Sequence, residues 1–350
     1  MSIWKGKRLT IELQGESHGE YVGINVTGFP DFDVDEEKLA AFMKRRQGGQ
    51  GFGSTPRKET DVPIFLPQTE KGKFSAIVKN ASKRSSDYDS LYGKPRPSHA
   101  DYCSFVKDGT LDFRGGGRFS ARLTAPYCIA GGIAKQFLEE KGIRIRAYVS
   151  EVGGVVGKSY KDGITEEELE AVTEGFPSLT KKEEMEEEIE RARMDADSVG
   201  AVCECVVFGC PAGIGNDYFD GLEGKLAQLL FAIPAVKGVE FGAGFALADL
   251  RGSEADDPIR MDGDRVVTAA NHNGGVNGGI TNGMPLIVRT VVKPTPTIRT
   301  PRRTVSLASR SDAEITVHGR HDPAIAPRAA IVQTAVTALV LCDLLAEAEG

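Results

Sequence analysis

From Pro323 onward the chain carries its most apolar helical stretch, and any fold must first find a place for it. Arg328, Gln333 and Asp343 interrupt the run, so it reads as a buried core helix and not as a membrane span. With 350 residues there is ample chain to cover such a helix. Length alone would suggest two domains. No Ser/Thr/Pro linker and no internal repeat divides the sequence, so one compact unit over residues 1–350 is expected. Within it, residues 160–198 form a charged, peripheral helical segment.

Hydrophobic residues at 40% and charged residues at 27% are ordinary for a soluble globular protein. The net charge of −7 gives no global pull toward nucleic acid or an anionic membrane. The Arg/Gly loops also lack the interleaved aromatics of a nucleic-acid surface. An anionic ligand must therefore be held by local arginines. The six cysteines include no C-x-x-C pair, and Cys203 and Cys205 would share one face of a strand. They read as buried free thiols in a reducing compartment. Met1 to Thr10 contains no apolar core of a secretory signal.

Strands are expected at Arg8–Leu13, Val22–Thr27, Gly200–Gly209, Val239–Leu250 and Leu286–Val292, with a further strand and turn over 143–158. Asp33 or Asp35 can cap a helix running through Leu39, Phe42 and Met43 to Arg46. A central helix is expected from Leu123 to Lys141, with an apolar stripe through Tyr127, Ala130 and Ala134 and a stop at Gly142. Thr180 and Glu183 have capping-box spacing, and Leu222–Ile233 should be a helix stopped by Pro234. Asp322 before Pro323 suits the N-cap and first position of the last helix.

The chemistry-bearing residues fall in glycine-rich loops. Arg114-Gly115-Gly116-Gly117-Arg118-Phe119-Ser120-Ala121-Arg122 runs into the central helix, combining free backbone N–H groups, arginines and a helix start: an anion site. Arg118 and Arg122, four apart, would share a helix face and repel by about 0.2–0.5 kcal/mol unless an anion lies between them. A second such place is Gln47–Gly53, flanked by Arg45, Arg46 and Arg57. A third is 271–283, with five glycines in thirteen residues. Of the five histidines, His18, His99, His272, His318 and His321, none falls within an apolar helical run, and none has metal-ligand spacing. Read this far, the chain suits a polyanionic ligand and a phosphorylated cofactor, without naming a reaction.

GESHG at 15–19, RPSHADY at 96–102, GGGRFSARLT at 115–124, GGITNG at 278–283, KPTPTI at 293–298 and GRHDP at 319–323 together resemble the chorismate synthase family. The likeness runs in order from about residue 8 to 343. It implies an α+β fold with helices sandwiched between two antiparallel β-sheets, in a cytoplasmic homotetramer. The implied reaction is the 1,4-anti elimination of phosphate from 5-enolpyruvylshikimate 3-phosphate, using reduced FMN without net redox change. NADPH would enter only as an indirect reductant, through an external flavin reductase. By resemblance His18 protonates the departing phosphate, His99 keeps the reduced flavin protonated, and Asp322 assists proton removal. Ser17, Arg46, Arg96, Arg122 and Arg320 would hold the substrate. Arg118, Phe119, Ser120, Pro234, Ala235, Gly278, Lys293, Pro294, Thr295, Pro296, Thr297 and Arg320 would line the flavin.

The chain departs from the family pattern at Phe119 (usually Ser), Leu123 (usually Glu), Pro234 (usually Asn) and Phe52 (often Arg). The departures at Phe119, Leu123 and Pro234 are the support for a second reading, a catalytically silent flavin- or phosphometabolite-binding protein of the same fold. Retention of His18 and His99 speaks for the enzyme.

Overall fold

A computed structural model describes residues 2–47, 60–67, 70–80, 91–109, 116–172, 176–317 and 322–348. The first sheet is built from β1 (Ser2–Lys5), β2 (Thr10–Gly15), β3 (Tyr21–Thr27), β4 (Ile64–Leu66) and β5 (Lys73–Lys79). Its order is β1-β2-β3-β5-β4, antiparallel throughout. Alternation puts Ile11 and Leu13 of β2, and Val22, Ile24 and Val26 of β3, into the core. The second sheet contains β6 (Arg144–Val152), β7 (Val155–Val156), β8 (Ala201–Phe208) and β9 (Val236–Phe241). The chain then makes two hairpins, β10 (Ile259–Asp262) with β11 (Arg265–Thr268) and β12 (Val276–Asn277) with β13 (Ile280–Thr281). It re-enters the sheet as β14 (Leu286–Val292), giving the order β7-β6-β8-β14-β9. A last hairpin joins β15 (Arg302–Ser306) and β16 (Ser311–Ile315).

The two longest helices lie between the sheets. α1 (Glu36–Arg46) starts at Asp35, whose side chain accepts the N–H groups of Glu37 and Lys38. α2 (Asp101–Asp108) is short. α3 (Thr124–Glu140) packs on β3 and β5, and α7 (Ala326–Ala348) packs on β6 and β8. The two helices cross where Gly131 faces Ala335, and a Cβ on Gly131 would stand 2.4 Å from the Ala335 Cα. α7 is long and apolar enough for a membrane, but 89% of its most apolar window is buried inside the protein. It is the core helix that its sequence suggests. Asp343 does not break it: the carboxylate accepts the backbone N–H groups of Lys7, Arg8 and Leu9, each at 2.8 Å, and so fastens the β1–β2 turn.

The charged segment carries α4 (Glu166–Ala171) and α5 (Lys182–Met194) on the outside of the second sheet. Its capping box is Thr165 with Glu168, not Thr180 with Glu183. Thr180 Oγ1 instead accepts from Lys158 N at 2.8 Å, and Lys181 starts α5 in a left-handed conformation. Met185 and Ile189 are buried, so this helix is less peripheral than its charge suggests. Underneath, fully buried Glu204 accepts from Tyr148 Oη, Ser159 Oγ (2.6 Å) and Tyr160 N (2.7 Å).

Three further expectations are corrected. The strand foreseen at 239–250 ends at Phe241, because Gly242 and Gly244 take positive φ and a 3-10 turn follows. α6 (Leu222–Leu230) stops before Ile233. Asp322 is not the N-cap of the last helix, since α7 begins four residues later at Ala326. It is buried instead against Arg328.

Candidate active site

Four loops are tied to one another by hydrogen bonds. The turn after β2 carries Ser17 and His18, and Ser17 N–H donates to Gly117 O at 3.3 Å, joining it to the glycine loop. Gly116 has no room for a side chain: a Cβ there would lie 2.7 Å from the Ser120 Cα. Arg114 and Gly115 lie outside the described residues, as do Phe52, Arg57, Arg320 and His321.

Arg118 and Arg122 do not share a helix face. Gly117–Phe119 and Ala121–Leu123 are separate 3-10 turns, broken by an extended Ser120 whose Oγ accepts from Arg122 N at 3.2 Å. Arg118 reaches outward to Asp108 and Ser104 of α2 and lies over the exposed Phe119 ring. Arg122 turns inward. Its Nη1 and the Nη1 of Arg46 both bind the carboxylate of Asp61, which is 1% exposed. Arg46 also donates to Thr124 Oγ1 (3.0 Å) and Ala121 O (2.9 Å), and Arg122 donates to Asn80 Oδ1 (2.8 Å) and Lys79 O (3.1 Å). The like charges are therefore separated and partly neutralised by a protein carboxylate. Nothing in the sequence pattern marked Asp61.

The third loop is Arg96–Asp101. Arg96 holds Asp101 in a bidentate pair, Nε and Nη2 each at 2.8 Å, and Asp101 meets His99 Nδ1 at 2.6 Å. Burial alone would raise the Asp101 pKa. The Arg96 and His99 hydrogen bonds and charges outweigh it and hold the carboxyl well below the usual carboxylate range. With Nδ1 engaged, Nε2 is the ring nitrogen left for chemistry. Asp101 stands two residues from His99 in the quoted motif, so its position was visible but its role was not.

Lys293 ties this turn to the fourth loop. Its Nζ donates to Ser98 O at 2.6 Å and its N–H to Ala235 O at 2.9 Å. Ser98 (φ 60°) and Ala235 (φ 74°) are both left-handed without being glycine, a strain of about 1–3 kcal/mol each that functional sites often store. Pro234 borders a small cavity with Arg46, Ala121, Thr124 and Arg328, the partner of Asp322. The fold thus joins Ser17, His18, Arg46, Ser120, Arg122, Pro234 and Asp322 in one chain of contacts, and Arg96, His99, Ala235 and Lys293–Thr297 in an adjoining one. Gly278 belongs to a different set of contacts, at the tip of the β12–β13 hairpin tied to the 213–222 loop. Leu123, where the family pattern has an acid, packs against the core.

Among the described residues, three buried side-chain polar atoms have no hydrogen-bond partner: Ser17 Oγ, Thr295 Oγ1 and Arg289 Nε. Two of the three lie in these loops. A buried hydroxyl left unsatisfied costs roughly 1–3 kcal/mol, and a bound ligand oxygen would remove that cost.

Fold and site together define an α+β protein in which the turns bearing His18 and His99, and the buried Asp322, are tied to arginines through Asn80, Asp101 and Arg328. The chorismate synthase family model matches residues 9–346. The chorismate synthase of Pyrococcus abyssi is 45% identical over 97% of this chain and 97% of its own. That of Dehalococcoides mccartyi is 40% identical over 98% and 96%. A crystal structure of chorismate synthase superposes with a TM-score of 0.74 at 28% identity, covering 99% of this chain and 94% of that one. The chain belongs to the chorismate synthase family, lyases of the shikimate pathway that serve aromatic amino acid biosynthesis.

Proposed function

We propose that this chain converts 5-enolpyruvylshikimate 3-phosphate to chorismate and phosphate with FMN bound in its reduced form, as a cytoplasmic homotetramer supplied by an external flavin reductase, NADPH acting only indirectly. The observation that carries the reading is the Lys293 bridge, which fastens the His99 turn to the loop proposed to line the flavin. The residues present fit that group. Thr295 Oγ1 lacks a partner inside the proposed lining, and Lys293 supplies cationic charge for a phosphate. When bound, reduced FMN would supply transient electron density for expulsion of the phosphate, with no net redox change.

The chain's own groups manage protons and position. His18 gives a proton to the departing phosphate oxygen. His99, its Nδ1 held by Asp101, keeps a proton available at Nε2. Asp322, seated against Arg328, helps take up the ring proton. Ser17 Oγ and the arginine cluster orient the anionic substrate. Anaerobic rapid-quench measurement of phosphate release with photoreduced FMN tests these roles. His18→Gln and His99→Gln should each slow release by roughly 10²–10⁴-fold while FMN still binds. Wild-type release from either variant would remove that histidine from the mechanism.

A further inference from the structure

We infer that Asn80, at the end of β5, is the positioning residue for the His18 turn. The inference rests on the proposed role of His18 and adds a residue to it. Asn80 is buried, 8% exposed. Its Nδ2 donates to Glu16 O and to Gly19 O, both at 3.0 Å, so one amide spans the two ends of the turn that carries Ser17 and His18. Its backbone N–H donates to Glu20 O at 3.0 Å, and Gly19 N–H closes the turn onto Glu16 O. The amide can face only one way. Arg122 Nε donates to Asn80 Oδ1 at 2.8 Å, and a guanidinium has no acceptor to offer a flipped NH₂. Arg122 is itself fixed by Asp61, which also binds Arg46 of α1. The His18 turn is thus referenced, through Asn80, to the helices that frame the site, and not merely to its own strand.

Placement matters because misplacing a reacting group by about 1 Å can cost on the order of a hundredfold in rate. Asn80 also meets Arg122 and braces the turn that bears Ser17, so KM can move with it, and the effect that reports on His18 is in kcat. Loss of the amide should therefore lower kcat.

The test uses Asn80→Ala and the near-isosteric Asn80→Asp in the full-length protein. The second keeps the Arg122 contact but turns an oxygen toward two carbonyls, so a defect shared by both variants does not depend on a cavity. Anaerobic turnover with photoreduced FMN should fall about 10- to 100-fold in kcat for both. The double variant Asn80→Ala/His18→Gln should be no slower than His18→Gln, since Asn80 acts through His18. The His18 ring signal in the histidine NMR spectrum, assigned by its loss in His18→Gln, should shift or broaden in both Asn80 variants. An unshifted His18 signal, wild-type kcat, or a further loss in the double variant equal to that in Asn80→Ala overturns the inference. Wild-type turnover by His18→Gln would instead overturn the acid role of His18, and the NMR signal would still decide the positioning claim.

Discussion

Arg46 and Arg122 look, from their loops, like ligands for a phosphate or carboxylate, yet both are buried with their guanidinium groups bonded to protein. Asp61 is what makes that burial possible. Removing it would leave two buried cations facing each other, so Asp61→Ala should destabilise the fold by about 3–5 kcal/mol. A urea midpoint unchanged from wild type would contradict this. Asp101 makes a pH-dependent contribution of definite sign. Its pKa is depressed in the folded protein, so its stabilisation is complete above the ordinary value of 3.8 and is lost as pH falls below it toward the folded value. Asp101→Asn should therefore flatten the stability profile below that pH. A variant whose acid unfolding curve overlays wild type would show that the Arg96 pair contributes nothing. Phe119, exposed beneath Arg118, stands where the family pattern has a serine. Phe119→Ser should tighten FMN binding by restoring a hydroxyl, and an unchanged affinity by flavin fluorescence would count against a flavin contact there.

Elements with a strong period were readable in advance, and those whose limits depend on a partner were not. β14 occupies Leu286–Val292 as expected, and α1 takes its cap from Asp35. The start of α7 was misplaced because Asp-Pro has the chemistry of a cap, whereas Asp322 is drawn to Arg328. Lys181, not Thr180, starts α5, because the Thr180 hydroxyl is taken by Lys158 N–H. The α3–α7 crossing offers a direct test of packing. Gly131→Ala would gain about 1 kcal/mol of helix propensity. The new Cβ would meet the Ala335 backbone at 2.4 Å, and overpacking of that kind costs about 1–3 kcal/mol. The clash should win because neither helix can retreat from its sheet, so thermal unfolding should move down. A higher Tm would show that the helices separate easily.

At the level of the whole molecule, the expected sandwich came from the resemblance to the chorismate synthase family and not from periodicity, and the matched crystal structure of the family supports it. The candidate site was legible as a set of glycine loops with Arg and His. Asn80 and Asp61, which hold those loops together, were not, and neither was the bridge from Lys293, an expected flavin contact, to Ser98, because these contacts span large sequence separations that no local pattern records. Five of the six cysteines are buried free thiols as expected, and the exposed Cys103 is the exception. Burial pushes the thiols of Cys128, Cys203, Cys205 and Cys210 up to about 12. The measurement that bears most directly on the account is anaerobic turnover of 5-enolpyruvylshikimate 3-phosphate by the purified protein. One sample would hold photoreduced FMN and the other oxidised FMN with NADPH. The account predicts chorismate and phosphate in equal amounts from the first sample and none from the second. No product from either, with FMN shown to be bound, would contradict it and leave a silent flavin-binding protein of this fold.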